Sequence, residues 1–151
     1  MLKFISNNEE ETKAVGFSLA SKLKDRDIVI LSGDLGSGKT KFTEGFLSFF
    51  GLDDEISSPT FTIVNEYSKD NMNIFHFDVY RLEDLDEFYA IGGPDYFDRG
   101  ICLIEWGELI EPILSKYIKI NISKDDNNDN IRYINIEYIN NNEGNNALWK
   151  F

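Results

Sequence analysis

Eight consecutive residues, Gly33-Asp34-Leu35-Gly36-Ser37-Gly38-Lys39-Thr40, constrain the fold of this chain more than any other stretch. They fit G-x-x-x-x-G-K-[ST], the Walker A pattern of a phosphate-binding loop. Glycines at 33, 36 and 38 let the backbone turn its N–H groups inward. Those donors, with the positive end of a following helix, form an anion site. Lys39 is then placed to reach the outer phosphates of a nucleotide, and the Thr40 hydroxyl to ligate Mg2+. Such a loop needs a strand before it and a helix after it. Asp27-Ile28-Val29-Ile30-Leu31 supplies a short β-branched run, and Lys39 to Phe50 follows with helical spacing.

The rest of the composition fits an ordinary globular chain. With 151 residues and 42% hydrophobic content, it reads as one domain, 1–151, able to bury a sizeable core. Net charge is −12, from 27 acids against 15 bases, which disfavours direct electrostatic binding to nucleic acid. An acidic protein that binds an acidic nucleotide needs its positive field concentrated locally. That requirement falls on the loop amides, Lys39 and Mg2+. Cys102 is the single cysteine, so no internal disulfide forms, which suits a reducing compartment. Its run Ile101-Cys102-Leu103-Ile104 reads as buried. Neither a signal-like N-terminus nor an apolar run near 18 residues occurs, so the expected location is cytoplasmic.

Along the chain, Leu2–Ile5 reads as a short strand. Ser6 and Glu9 have capping-box spacing ahead of an amphipathic helix from Asn8 to Lys24. The loop helix buries Phe42, Phe46, Leu47 and Phe50 and stops at Gly51. Phe61–Tyr67 and Met72–Phe77 read as an antiparallel hairpin turning at Lys69-Asp70-Asn71. Leu85–Ala90 is helical in character and ends at Gly92-Gly93-Pro94. Ile101–Ile104 is a wholly apolar strand, covered on both faces. Ile118, Ile120 and Ile122 alternate on one segment and Ile134, Ile136 and Tyr138 on another, which predicts a terminal hairpin. Residues 139–151 read as a partly mobile tail, with Leu148, Trp149 and Phe151 docking back. The predicted class is therefore α/β: a P-loop NTPase-like domain, its mixed sheet flanked by helices, with a C-terminal β-hairpin.

A phosphate loop that uses Mg2+ needs a second acid at the tip of a neighbouring strand. Glu105 ends Ile-Cys-Leu-Ile and is the cleaner match, for Mg2+ directly or through water. Asp78 ends Ile74-Phe75-His76-Phe77 and is the candidate for positioning or deprotonating an attacking water. A surface acid is the plain alternative for each. His76, the only histidine, alternates with aromatics, and a packed, hydrogen-bonded role is its default. Ser57–Thr60 is open between an ordinary turn and a nucleotide-sensing switch segment. The guanine-reading N-K-x-D motif is missing, which favours ATP over GTP. Only Arg26, Arg81, Arg99 and Arg132 are available, few for the lid of a nucleotide kinase.

Four motifs stand in order: Gly-Asp-Leu-Gly-Ser-Gly-Lys-Thr at 33–40, Ser-Pro-Thr-Phe-Thr at 58–62, His-Phe-Asp-Val-Tyr-Arg-Leu at 76–82 and Ile-Glu-Trp at 104–106. Together they resemble the bacterial TsaE (YjeE) ATPase family over about Ser6 to Trp106; the C-terminal third matches in its strand pattern only. The resemblance implies a Mg2+-dependent ATPase serving biosynthesis of threonylcarbamoyladenosine, the modified adenosine beside the anticodon of certain tRNAs. It implies weak activity alone and action with the TsaB–TsaD complex, which ATP hydrolysis resets between turnovers. tRNA is then reached only indirectly, through that complex.

Residue by residue, the resemblance puts Gly36, Ser37, Gly38, Lys39 and Thr40 on the phosphates. Thr40 and Glu105 become the Mg2+ site, Asp78 the catalytic acid, and Ser58–Thr62 the switch-like segment. Lys39 and Glu105 join Asp78 in the catalytic set. Thr12 falls where family members contact the base side of the nucleotide, and Trp106 lies beside the nucleotide region. Lys41 is a departure, because members often carry a second Thr there; it stays in the nucleotide-binding set through its place in the loop. Arg132 is added as a late nucleotide contact. Two rival functions remain: a stand-alone small-molecule kinase and a nucleotide-sensing adaptor that does not hydrolyse.

Overall fold

The protein was analysed as a computed structural model, which describes residues 1–34, 36–52 and 63–141. A single seven-stranded sheet organises it: β1 (Leu2–Ser6), β2 (Ile28–Ser32), β3 (Val64–Lys69), β4 (Met72–Asp78), β5 (Ile101–Glu105), β6 (Lys116–Lys124) and β7 (Arg132–Asn140), in the order β1-β7-β6-β2-β5-β4-β3. The four inner strands β6, β2, β5 and β4 are parallel, and the partners at both edges run antiparallel. Connections of the crossover kind are what a parallel core requires. Helices α1 (Glu9–Ala20) and α2 (Lys39–Phe49) cover one face, while α3 (Leu85–Ala90) and two 3₁₀ segments, Gly93–Asp98 and Gly107–Ile113, cover the other.

This double cover explains the unbroken apolar runs. Val29 and Leu31 pack toward α1 and α2 while Ile30 packs toward the opposite side. Leu103 and its neighbours Cys102 and Ile104 divide in the same way, as successive strand residues must. All six side chains are fully buried. The outer strands fold as their alternation predicts: Ile118, Ile120, Ile122, Ile134 and Ile136 all face the helix pair. At the β3–β4 hairpin the turn is tight. Asp70 and Asn71 both adopt positive φ, 51° and 65°, the backbone that matches strand twist in a two-residue turn.

Helix α1 starts where the sequence predicts, but its cap differs and it ends earlier than expected. Asn8, not Ser6, is the N-cap, with its side chain accepting from the Glu11 amide at 2.9 Å. Glu11 in turn accepts from the Asn7 amide at 2.6 Å. Ser6 is unavailable as a cap because it belongs to β1, paired with Arg132 of β7. The helix ends at Ala20 because a turn at Lys24–Asp27, with Arg26 at φ 73°, must reverse the chain into β2. Strand β3 is described from Val64, so the expected start at Phe61 lies outside the described residues, as do the Ser58–Thr62 segment and the tail from 142 onward. Residues 139–141 belong to the ordered sheet: β7 runs through Asn140, and the Asn141 amide donates to the Ser115 carbonyl at 2.8 Å.

The two helices of the covered face approach closely at two glycines. A Cβ at Gly16 would meet Phe42 and Phe46 backbone, and one at Gly45 would lie 2.7 Å from Lys13 Cα. No helix among the described residues is long and apolar enough to cross a membrane.

Candidate phosphate-binding site

Strand β2 lies at the middle of the parallel core, and the carboxyl ends of such strands are where α/β sheets bind ligands. The chain leaves β2 through Gly33, whose φ of 153° lets it pass within the reach of the Ile122 carbonyl, where a Cβ would not fit. Gly36 and Gly38 also take positive φ, 78° and 111°. Gly38 is the left-handed N-cap of α2 and brings no side-chain cap. The first-turn amides of α2 therefore have no partner within the helix and are directed past its N-terminus. Ser37 is turned inward: its hydroxyl is buried without a hydrogen-bond partner among the described residues, and its side chain sits against Gly33.

A cavity of about 710 Å³ opens over this loop. Gly36, Gly38, Lys39, Thr40, Lys41, Thr12, Asp78, Glu105 and Arg132 all line it, as does Trp106. Among the predicted nucleotide contacts Ser37 alone does not.

Lys39 is 7% exposed, and its ammonium has no hydrogen-bond partner among the described residues. It lies 3.4 Å above the centre of the Trp106 ring. Burial lowers its pKa from the ordinary lysine value, opposed by the field of Glu105, Asp78, Glu108 and Asp34. Trp106 takes up this position because its amide donates to the Leu31 carbonyl of β2 at 3.0 Å and its own backbone is left-handed, φ 61°. Tyr80 packs against the same indole, ring centres 4.8 Å apart.

Strand register brings the two acids together. Asp78 pairs with Glu105 across β4 and β5, and Leu31 pairs with Glu105 across β2 and β5. Asp78 Oδ1 accepts from the Tyr80 amide at 3.0 Å, which orients its carboxylate. Glu105 Oε2 lies 2.7 Å from His76 Nε2. The hydrogen-bonded role expected for His76 is thus met by the metal-site candidate itself.

Thr12 is buried on the first turns of α1 and shares a 2.7 Å hydrogen bond with Ser6 Oγ. Arg132 reaches the loop from the far end of the chain. It donates to the Gly36 carbonyl at 3.4 Å and runs beside Gly38, while also binding the carbonyls of Asp129 and Ile131. The Lys41 ammonium is held by Glu44 at 3.4 Å and by Glu9 at 3.8 Å, so its side chain lies along the α1–α2 rim.

Sequence reasoning missed the acidic rim. Glu9, Glu10 and Asp129 also line the cavity. The Glu-rich start of α1 signals only a favourable helix dipole, and Asp129 lies in a polar hairpin loop. Only the β1–β7 pairing brings the two together, and neither stretch carries a local sign of it.

A glycine-rich turn leads from the central parallel strand into a helix, a lysine is buried beside it, and acids tip the next two strands on one side, Glu105 on β5 and Asp78 on β4. That combination defines an α/β protein of the P-loop class. The family model described as threonylcarbamoyl adenosine biosynthesis protein TsaE matches residues 6–134. The chain belongs to the TsaE family. A relative from Rickettsia conorii named tRNA threonylcarbamoyladenosine biosynthesis protein TsaE is 42% identical over 124 residues, 81% of this chain and 71% of its own. One of the same name from Bacillus subtilis is 46% identical over 111 residues, 73% of this chain and 69% of its own. The crystal structure of Bacillus subtilis YdiB is similar, with a TM-score of 0.72 at 38% identity, covering 93% of this chain and 87% of that one.

Proposed function

We propose that this chain binds and hydrolyses ATP with Mg2+ in the threonylcarbamoyladenosine modification of tRNA, acting with TsaB and TsaD. The observation that carries the ATP reading is Lys39. A buried ammonium without a hydrogen-bond acceptor among the described residues is costly, and here it belongs to the first residue of α2, whose first-turn amides have no partner within the helix. A phosphate in that cavity would satisfy both at once.

Each residue then has a defined task. The α2 amides and Lys39 hold the phosphate chain. Thr40 and Glu105 would hold Mg2+, directly or through water, and the ion bound there would offset phosphate charge; one hydroxyl with one or two carboxylates is a donor set suited to it. Asp78, oriented by the Tyr80 amide, aligns the attacking water or takes its proton. Thr12 and Arg132 reach the nucleotide from α1 and β7. Lys41 contributes its backbone amide, with its side chain engaged by Glu9 and Glu44.

Partner dependence agrees with the charge. The cavity's acids, Glu9, Glu10, Asp78, Glu105 and Asp129, outnumber its bases, Lys39, Lys41 and Arg132. An acidic protein reaches tRNA more readily through other proteins than directly. ATP turnover measured alone and with TsaB–TsaD, for the parent and for Lys39→Ala, Asp78→Ala and Glu105→Ala, tests the proposal. The partners should raise the parent rate and leave all three variants low. An unchanged parent rate would remove the partner-dependent reading, and phosphate transfer to an added small acceptor would favour a kinase.

A further inference from the structure

We infer that His76 is the positioning residue for Glu105, fixing the direction in which that carboxylate faces the phosphate cavity; this rests on the reading of Glu105 as part of the Mg2+ site. His76, Asp78 and Glu105 share one face of the sheet. Residues 76 and 78 are two apart on β4, and Asp78 pairs with Glu105 on β5. His76 is 3% exposed, and its Nε2 lies 2.7 Å from Glu105 Oε2. No other hydrogen bond to this carboxylate occurs among the described residues.

The chemistry of the pair assigns the proton. An ionised carboxylate only accepts, so Nε2 carries the hydrogen and donates. In the neutral ring Nδ1 is then the bare nitrogen, and it is buried with no hydrogen-bond partner among the described residues. A strand position flanked by Phe75 and Phe77 would be better served for stability by another apolar side chain, since an unmatched buried acceptor costs free energy. The histidine is explained by what its other nitrogen does. With Oε2 held, the rotation of the carboxyl group is restricted and Oε1 is left for the cavity that Glu105 lines. Partners of this outer kind commonly change metal affinity by about 10–100-fold when removed. The His-x-Asp spacing thus puts the residue that orients the metal-site acid and the residue that faces the water on one strand.

Two measurements test this. The chain has one histidine, so its imidazole 15N signals are unambiguous. In the parent they should show a protonated Nε2 and a bare Nδ1; the reverse tautomer would overturn the assignment. Calorimetric binding of the non-hydrolysable analogue AMP-PNP, with and without Mg2+, gives the second readout. His76→Leu should keep metal-free affinity within about two-fold and lose about ten-fold of the Mg2+-dependent gain, and His76→Gln, which can still donate, should recover most of it. If Glu105→Gln loses that gain and His76→Leu does not, His76 does not position Glu105, although Glu105 remains the metal-site acid. If Glu105→Gln keeps the gain, Glu105 is not in the metal site and the role of His76 falls with it. Should His76→Leu fail to fold, His76→Asn, too short to span to Glu105, is expected to show the same loss; a full gain there refutes the proposal.

Discussion

Replacing Gly45 by alanine tests whether the helix crossing sets the geometry of the cavity. The new Cβ would lie 2.6 Å from the Lys13 carbonyl carbon and 2.7 Å from Lys13 Cα. Carbon atoms prefer about 3.5–4.0 Å, so α1 and α2 must separate by about 1 Å at that point. The obstacle is backbone inside a helix, and no rotamer change can relieve it. Overpacking of this kind costs about 1–3 kcal/mol, and a rigid obstacle belongs at the upper end. Alanine regains about 1 kcal/mol of helix propensity over glycine. The net loss is about 2 kcal/mol, which for a chain of this length lowers Tm by about 4–8 °C.

A functional effect should accompany it. Lys13 adjoins Thr12, whose side chain is tied to Ser6 and lines the cavity. A shift of α1 moves Thr12 from its proposed nucleotide contact, worth about 0.5–1.5 kcal/mol, or about two- to ten-fold in affinity. Thermal denaturation followed by circular dichroism and nucleotide titration are the two assays. An unchanged Tm together with unchanged affinity would refute the claim that these glycine contacts set the crossing.

Two further outcomes follow from the burial of single groups. Lys39→Met should weaken nucleotide binding by about 10–100-fold, the worth of a charged hydrogen bond, while leaving Tm without nucleotide at or above that of the parent. The sign follows from its pKa. Burial lowers it below the unfolded value of 10.5, so the charge costs stability at neutral pH and that cost is relieved as pH rises toward 10.5. The parent should therefore gain on Lys39→Met as pH rises toward 10.5, and thermal melts across the alkaline range check this. Burial also pushes the Cys102 thiol up to about 12, so iodoacetamide at pH 8 should leave the native protein unmodified and add one label in denaturant, as intact mass reports.

The phosphate loop, the strand and helix beside it and the two acids at strand tips were all legible in the sequence. Each has a local cause. Glycine takes the positive φ of residues 36 and 38 without steric cost, β-branched runs make buried strands, and an acid ending such a run lies at a strand tip. Alternation likewise revealed the terminal hairpin. The α1 cap was misread because Ser6 resembles a cap locally, whereas its pairing with Arg132 makes it strand. Tertiary structure alone decided the sheet order, in which β6 joins β2 and β7 comes between β6 and β1. That order carries Arg132 against Gly38 and brings Asp129 and Glu9 to the same cavity, residues too far apart in the chain for any local pattern to link. It also decided that His76 would meet Glu105 and that Lys39 would rest on Trp106. Chain pattern dictates which side chains leave a strand together; register between strands dictates which of them meet.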